Sequence, residues 1–423
     1  MSEVEAEYQA DPRTACKYGE SCYQKNPQHH SRFKHPPKRK LESSESETED
    51  LVPKGKKYKT DDEEKDSGSG DDFEVPSIDK EEHTADTSQP EEDDAESPVH
   101  ELEVAPSPEN VRESIEQKFL VDMPEDFFDF WDLCKELDKE KPEEAFIKAG
   151  ITLVGPYDIL SGKLKNLKTR KISSYVCHWR YYYDPPEFMT VIAGSEDEYH
   201  IGYYRDDCFL LPAFVGSMSS VQPGNITLIG GNIFSAVSSY LSQRMKSENP
   251  FKKITLQRLQ QELEKYAKLA SELRPSSVQA RQKKVVSKCF HGVVRVPVHN
   301  DVGYRPIPES NASLKKIFKK VVDAKSEEEK LKHFDAVQEL MTNCKINALE
   351  IMTEHLFLSF QGMGLEFGLN MFTFGGEAFH KAISHVLGVA YELLGRDAFI
   401  DILRAHLKNR RRGSNMSILE VVE

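Results

Sequence analysis

The sequence predicts a mixed α+β fold, in which an antiparallel-sheet N-terminal subdomain precedes an all-helical C-terminal subdomain. Short runs that are apolar or alternate in polarity, separated by Gly, Pro and Asp, fill much of residues 151–215. Apolar residues at the spacing of a helical face dominate from residue 255 onward. A Cys/His-rich segment and a strongly acidic one come first. They predict a small zinc finger and a disordered linker.

The acidity of the chain belongs to one segment. Residues 41–105 hold 24 Asp or Glu against 6 Lys or Arg, a net charge of −18, whereas all 423 residues together carry −15. This segment has almost no aromatic residues, so it cannot bury enough apolar surface to offset its chain entropy. We therefore predict a finger over 12–37, a disordered acidic linker with basic clusters over 38–108, the sheet subdomain over 109–250, the helical subdomain over 251–412 and a flexible tail over 413–423.

The elements follow from local patterns, taken in chain order. An amphipathic helix starts near Val111, and Pro124 followed by acidic residues opens a second one. Ser326 with Glu329 three residues later predicts a capping box. The predicted strands are 151–154, 175–183, 189–193, 199–204 and 209–215, and the predicted helices are 232–245, 255–273, 312–324, 326–342, 377–394 and 397–407.

Composition excludes some classes of protein. The chain has no run of about 18 apolar residues and no apolar stretch at its N-terminus, so we expect neither a membrane span nor a secretory signal. A soluble intracellular protein is expected. Five of the seven cysteines are scattered along the chain, which suggests reduced, buried thiols.

The other two cysteines, Cys16 and Cys22, precede several histidines within about twenty positions. Two thiolates and two imidazoles are the ligands that tetrahedral Zn²⁺ prefers, and metal would supply the folding free energy that so short a segment lacks. The spacing is too tight for a DNA-reading finger with an intervening helix. An unstructured Cys/His-containing tail is the alternative.

This segment resembles the poly(ADP-ribose)-binding zinc finger. The resemblance rests on the four ligands and on the Tyr-Gly and Asn-Pro elements at residues 18–19 and 26–27. It implies Zn²⁺ ligation by Cys16, Cys22, His29 and His35, with His30 as the alternative to His29, and contacts to poly(ADP-ribose) from Tyr18 and Tyr23. The family usually has Arg where this chain has Gln24, and an amide pairs with phosphate less well than a guanidinium does. We therefore expect weakened affinity for poly(ADP-ribose).

Two basic clusters follow, at residues 37–40 and 54–59. On a flexible segment they suit a bipartite nuclear-import signal. The alternative is a pair of non-specific patches that contact phosphates.

Residues 301–309 predict an extended segment that displays two adjacent side chains. Pro306 and Pro308 keep the residues before them out of the helical region, and Gly303 can turn freely. Tyr304 and Arg305 are of residue types enriched at binding hot spots. The alternative is a linker with a half-buried Tyr304 and a helix-capping Arg305.

This segment and four others resemble the histone PARylation factor family, whose members direct poly(ADP-ribose) polymerases toward serine. The other segments are Gly155–Asp158, Tyr182–Phe188, Gly362–Gly368 and Phe379–Lys381, and the similarity runs from about Val111 to about Arg410. The resemblance implies that Tyr304 and Arg305 contact the polymerase and that NAD is bound by the polymerase and not by this chain. It also implies histone partners and a nuclear role at damaged chromatin. We expect no membrane partner and no direct sequence-specific DNA binding.

In that family an Asp is followed directly by a Glu, and this Glu enters the polymerase active site. A carboxylate there can take the proton of a serine hydroxyl. The matching position here is Glu350, but Leu349 stands where the family has Asp, and residues 351–361 are longer and more apolar than the family's loop. Glu350 as the catalytic residue, a splice or gene-prediction variant without the site, Glu354 as a displaced substitute, and Glu350 as a helix-surface residue all stay open.

Three other groups favour structural roles. Gly362, Gly364 and Gly368 lack a preceding strand and the full dinucleotide fingerprint, which favours helix packing. The Cys177-His178 pair and His380 have no visible orienting partner for nucleophilic catalysis. Residues 181–183, three consecutive tyrosines, favour packing over base stacking, because no basic patch flanks them.

The sequence therefore predicts a nuclear accessory factor that completes a shared active site with a polymerase and is not an autonomous enzyme. A catalytically silent reader or scaffold for poly(ADP-ribose) and chromatin is the alternative. An autonomous transferase or hydrolase is disfavoured, because the sequence offers no nucleotide cradle.

Overall fold

The computed structural model describes residues 13–15, 33–34, 110–165, 167, 171–269, 287–290, 294–295, 307–349 and 354–419, with side chains left out for 14–15, 268–269, 287–288, 294–295 and 343–362. The chain divides into two compact units, Met1–Glu91 and Glu92–Glu423. In the first unit, β1 (Thr14–Ala15) pairs in parallel with β2 (Phe33–Lys34). None of the helices in the described part of the chain is long and apolar enough to cross a membrane.

The second unit opens with helices and a five-stranded sheet. Its elements in order are α1 (Val111–Phe119), α2 (Glu125–Leu137), β3 (Ile151–Leu153), α3 (Tyr157–Leu160), α4 (Ile172–Val176), β4 (Phe188–Gly194), β5 (His200–Tyr204), β6 (Phe214–Met218), β7 (Thr227–Gly230) and α5 (Ile233–Ser247). The strands follow one another in the sheet in the order β3-β4-β5-β6-β7, and every pair is antiparallel. The predicted antiparallel sheet is therefore confirmed.

The central strands β4, β5 and β6 are buried on both faces. One face joins the main core, while the other packs a smaller cluster that includes Phe188, Tyr204 and Phe214. Tyr204 pairs with both phenylalanines in the ladder, and its ring stacks on Phe214 with centroids 4.8 Å apart. Burial on both faces explains why these strands are nearly continuous apolar runs and do not alternate.

One buried carboxylate ties α2 to the sheet and to α5. Oδ2 of Asp126 accepts hydrogen bonds from the Tyr203 hydroxyl at 2.9 Å and from the backbone N–H of Ile233 at 2.8 Å. Asn232 caps α5 in a capping box with Ser235, which satisfies N–H groups that the first helical turn leaves without partners. The helix predicted over 232–245 is thus present and is fixed at its first turn.

As far as it is described, the rest of the second unit is helical apart from one short strand pair. Its elements are α6 (Pro250–Leu269), β8 (Ser287–Lys288), β9 (Val294–Arg295), α7 (Asn311–Asp323), α8 (Glu327–Leu349), α9 (Glu354–Phe374), α10 (His380–Leu393) and α11 (Asp397–Asn409). The predicted cap of α8 is present, since Oγ of Ser326 accepts from the N–H of Glu329 at 3.1 Å. The Glu329 carboxylate reaches back to the N–H of Lys325, one residue earlier than in a standard capping box.

Helices α9 and α10 pack closely because two glycines of α9 face α10. A Cβ added at Gly368 would lie 2.5 Å from Cγ of Leu387, whereas one added at Gly364 would meet Ala390 and Val386 at 3.9 Å. The prediction that this glycine-rich stretch serves helix packing is confirmed. Also on α10, the Tyr391 hydroxyl donates to Oε1 of the buried Glu187 at 2.9 Å, which joins the helices to the sheet subdomain.

The prediction of a strand over 175–183 was wrong. These residues leave α4 and turn, with Trp179 in the left-handed region at φ 56°. The side chain of the buried Arg180 explains the turn, because it donates to the carbonyl oxygens of Val176, Asp184 and Pro185. The turn is largely buried and therefore rich in aromatic residues, so its sequence has the apolar pattern of a buried strand. Strand β6 also begins later than predicted, at Phe214, and β7 was not predicted.

The segment for which the sequence predicts a flexible tail, from residue 413, is described as far as residue 419. Met416 is fully buried, and its N–H donates to the carbonyl oxygen of Arg180 at 2.7 Å. The Ser417 hydroxyl accepts from the N–H of Trp179 at 2.9 Å. The segment after α11 therefore covers the irregular turn that follows α4.

Candidate functional site

The segment that carries Tyr304 and Arg305 is described through its two ends. Both residues lie outside the described residues, which stop at Arg295 and resume at Ile307. Before the gap, the backbone N–H of Phe290 donates to Oδ1 of Asn370 on α9 at 2.8 Å. After the gap, the side chain of Ile307 is buried in the main core. Ile307 is therefore fixed within the predicted docking segment, and Phe290 fixes the chain eleven residues before that segment begins.

A cluster of phenylalanines holds these ends. We call it the phenylalanine cluster; its members are Phe290, Phe318, Phe334, Phe367, Phe374 and Phe379. Phe318 of α7 lies at its centre, with ring centroids 5.1 Å from Phe379 and 5.9 Å from Phe290. Most of the ring pairs are tilted or edge-on, as aromatic packing favours. The cluster thereby connects α7, α8 and α9 to Phe290, which precedes the docking segment in the chain.

The junction of α8 and α9 adjoins the predicted catalytic position. Helix α8 is described to Leu349 and α9 from Glu354, and Glu350 lies between them, outside the described residues. Residues 354–361, which the sequence comparison with the family would place in a loop, are helical. At 1.5 Å of rise per residue, they separate the start of α9 from Gly362 by about 12 Å.

A partly buried arginine fastens α11 and α9 to the sheet subdomain. The Arg410 guanidinium lies between two rings, 4.0 Å from the centroid of Tyr182 and 4.2 Å from that of Phe372. Its Nε donates to the carbonyl oxygen of Tyr182 at 2.9 Å, and its Nη2 donates to that of Phe372 at 2.6 Å. Tyr182 thus packs within the protein, although it lies in a turn and not in the strand that the sequence predicts.

Two histidines near this arginine are held in their neutral form. Burial, and next the Arg410 guanidinium, keeps the pKa of His406 well below its ordinary value. The same two causes lower the pKa of His380. Nε2 of His406 lies 3.2 Å from the carbonyl oxygen of Tyr182, which fits an N–H donor there. The interpretation of His380 as a structural residue stays a prediction.

Cys177 and His178 are each held in structural contacts. Burial raises the pKa of the Cys177 thiol to about 11, so it stays protonated at neutral pH. Nε2 of His178 lies 2.9 Å from Oδ2 of Asp158 and not next to the thiol. A thiolate nucleophile with a histidine base is therefore disfavoured here.

The predicted metal ligands Cys16, Cys22, His29 and His35, and the predicted contact residues Tyr18 and Tyr23, all lie outside the described residues. What is described is the strand pair that flanks them. Ala15 of β1 is in register with Lys34 of β2. These residues are the immediate neighbours of Cys16 and His35 in the chain.

Asn370 is a positioning residue that the sequence argument missed. Its side chain has no exposed surface, yet it lies in the apolar run Leu369–Phe372. A lone amide in such a run is the one sequence feature that could have drawn attention to it, because a buried amide needs a hydrogen-bond partner.

Comparisons with known proteins match both parts of the chain. The family model described as Histone PARylation factor 1 matches residues 110–410, and that of the PBZ domain matches residues 13–38. Histone PARylation factor 1 of Mus musculus is 43% identical over 309 residues, which cover 71% of this chain and 87% of the mouse protein. Histone PARylation factor 1 of Danio rerio is 41% identical over 310 residues (71% and 86%), and Putative histone PARylation factor 1-like of Homo sapiens is 39% identical over 313 residues (72% and 87%).

Fold and site together define a class: an α+β protein in which a helical subdomain, packed on a five-stranded antiparallel sheet, fixes both ends of a connecting segment. Within that class the chain belongs to the Histone PARylation factor 1 family, over residues 110–410. It carries a PBZ domain ahead of that region.

Proposed function

We propose that this chain is a nuclear cofactor of poly(ADP-ribose) polymerases. It docks on the polymerase and completes a joint active site, which directs ADP-ribosylation to serine residues of histones and of the polymerase in the DNA damage response. The observation that carries the proposal is the family match over residues 110–410, which covers the sheet and the helices together.

Docking depends on Tyr304 and Arg305. An interface anchor binds more tightly when it is already held near its bound conformation, because less conformational entropy is then lost. The hydrogen bond from Phe290 to Asn370 and the burial of Ile307 support such preorganisation, because they fix the chain before and after Tyr304 and Arg305.

Glu350 serves as the general base in the joint site. A serine hydroxyl is a poor nucleophile at neutral pH. As nicotinamide leaves, the ribose of NAD develops the positive charge of an oxocarbenium ion. A carboxylate beside the hydroxyl takes its proton and offsets that charge, which is worth about 10²–10⁴-fold in rate. The NAD is bound by the polymerase.

The PBZ domain binds one Zn²⁺ through Cys16, Cys22, His29 and His35, and it binds poly(ADP-ribose) through Tyr18 and Tyr23. The donor set suits a closed tetrahedral site, in which the metal supplies folding free energy. The parallel pairing of Ala15 with Lys34 supports this set, because it brings the chain neighbours of the first and last ligands together.

A catalytically silent scaffold is the second candidate, and one observation favours it. Residues 354–361 form the first turns of α9, and Leu349 ends α8 where the resembled family has an acid. In this case the chain would bind the polymerase, poly(ADP-ribose) and chromatin without changing the modified residue.

The test mixes the full chain with a DNA-activated polymerase, NAD and a serine-containing histone peptide, and maps the modified residue by mass spectrometry. Serine modification that is lost in Glu350→Ala and kept in Glu354→Ala supports the joint site. The reverse pattern assigns the base to Glu354. Polymerase binding without serine modification supports the scaffold, and unchanged co-purification of Arg305→Ala with the polymerase would refute the docking role.

A further inference from the structure

One face of α7 carries four exposed lysines. Their positions in the helix place them on one side of it; they are Lys315, Lys316, Lys319 and Lys320. The opposite side carries Leu314, Phe318 and Val321, which are buried in the main core. Asp323, in the last turn, is the only acidic residue of this helix. We call these four residues the lysine face.

The lysine face differs from five other surface lysines of the protein. Lys135, Lys141, Lys252, Lys265 and Lys330 each pair with a carboxylate three or four residues away. No carboxylate in the described part of the chain forms an ion pair with any member of the lysine face. The Lys315 ammonium lies 5.0 Å from the centroid of the Phe290 ring. The face is thus a local excess of positive charge that the described residues do not neutralise.

The helix that carries these lysines is held in place. Phe318 packs at the centre of the phenylalanine cluster, and Oγ of Ser310 caps the first turn of α7 by accepting from Ser313. Because the apolar side of the helix is used in the core, it has no apolar face to insert into a membrane surface. The lysine face is therefore a charged surface on a rigid support.

We propose that the lysine face binds the phosphodiester backbone of duplex DNA, independently of base sequence. Five residue steps of an α-helix span about 7.5 Å, which matches roughly two phosphates along one strand. Lysine suits phosphate contacts of this kind, because its ammonium group is a compact charge on a flexible stem and needs no planar bidentate geometry.

The composition of the face favours DNA over an acidic protein. Lysine is depleted at protein interfaces, where aromatic residues and arginine supply the anchors. Val322, at 45% exposure, is the one large apolar side chain that α7 presents at the surface. Interfaces with DNA are more polar and far more positively charged. This inference goes beyond the proposed function and does not depend on it, because the binding is measured without polymerase.

The test measures fluorescence anisotropy of a labelled DNA duplex with the full chain and its zinc, at NaCl concentrations from about 50 to about 200 mM. The variant is K315Q/K316Q/K319Q/K320Q, in which glutamine preserves helix propensity. The matched control is K135Q/K141Q/K252Q/K265Q, which removes the same charge from exposed, ion-paired lysines. A third protein, K315R/K316R/K319R/K320R, keeps the charge. Circular dichroism verifies that all three fold.

We expect the glutamine variant to bind duplex DNA at least about tenfold more weakly than the control, with a salt slope lower by about 2, while the arginine variant retains binding. Equal losses in variant and control would refute the proposal, as would loss of binding in the arginine variant. The same proteins are titrated with poly(ADP-ribose) and with polyglutamate. A loss on either polymer as large as that on DNA would overturn the assignment to duplex DNA.

Discussion

The backbone N–H of Phe290 donates to Oδ1 of Asn370 at 2.8 Å, although the two residues are 80 positions apart in the sequence. Asn370 is fully buried, and the Phe290 ring lies in the phenylalanine cluster. One hydrogen bond therefore fixes the chain eleven residues before the predicted docking segment.

Replacing Asn370 with leucine should weaken this attachment. The Phe290 N–H would lose its acceptor, at a cost of about 1–3 kcal/mol in the free energy of unfolding. Polymerase binding should fall as well, because the docking segment would be less restrained. Thr373→Val is the control, since the buried Thr373 hydroxyl bonds only to its own helix at Leu369 and Asn370. Urea unfolding and a pull-down with the polymerase measure both effects; equal polymerase binding by the two variants would contradict the positioning role of Asn370.

Gly368→Ala and Gly364→Ala should have opposite effects on stability. The new methyl group at position 368 would meet Leu387 at 2.5 Å, so overpacking should cost about 1–3 kcal/mol. At position 364 the methyl group would be at ordinary contact distance, and alanine should stabilise the helix by up to about 1 kcal/mol. Denaturant midpoints of the two variants, measured side by side, test the packing of α9 on α10. A stable G368A protein would show that these helices can separate at low cost.

The unfolding free energy should fall below neutral pH because of His406. Burial holds its folded-state pKa well below 6.5, so between that pKa and 6.5 the unfolded chain binds a proton that the folded protein does not. The stabilisation is present above pH 6.5 and is lost as the pH falls, by at most about 1.4 kcal/mol per pH unit for this one group. His406→Gln keeps a donor for the Tyr182 carbonyl oxygen and should flatten the curve. A pH profile identical to that of the wild type would exclude His406 as the cause.

The full chain should bind one zinc ion, measured by atomic emission after dialysis. Cys16→Ser and Cys22→Ser should each lose it, because the thiolates are ligands that a hydroxyl cannot replace. Cys177→Ala is the control; burial raises the pKa of that thiol to about 11, so it offers no thiolate. His29→Ala and His30→Ala decide between the two histidines. Zinc retained in both cysteine variants would remove these residues from the proposed ligand set.

The sequence predicted most of the elements because their patterns are local. The apolar run of β4, the cap at Ser326 and the periodicity of α10 and α11 each depend on residues close together in the chain. The failure over residues 175–183 has a physical cause. The chain turns there because the Arg180 side chain binds three carbonyl oxygens, and no hydrophobic pattern reports such a contact.

The site was predictable only in part. The residue types at 304 and 305 predicted a displayed segment, but its attachment to Asn370 depends on the register of two distant segments, which local patterns do not contain. The same holds for the lysine face. Four lysines in a helix are usually a solvated surface, and only the positions of the neighbouring carboxylates distinguish this face from one that is neutralised.

Because Met416 covers the irregular turn, it determines where the folded unit ends at its C-terminal side. The family match ends at residue 410, yet Met416 is fully buried and Leu419 packs against the cluster of Leu164 and Tyr175. A protein truncated at the homology boundary would expose the Arg180 carbonyl oxygen and leave a methionine-sized void beside it. The folded unit therefore extends beyond the residues that match the family, and a truncated form of this protein should end after residue 419.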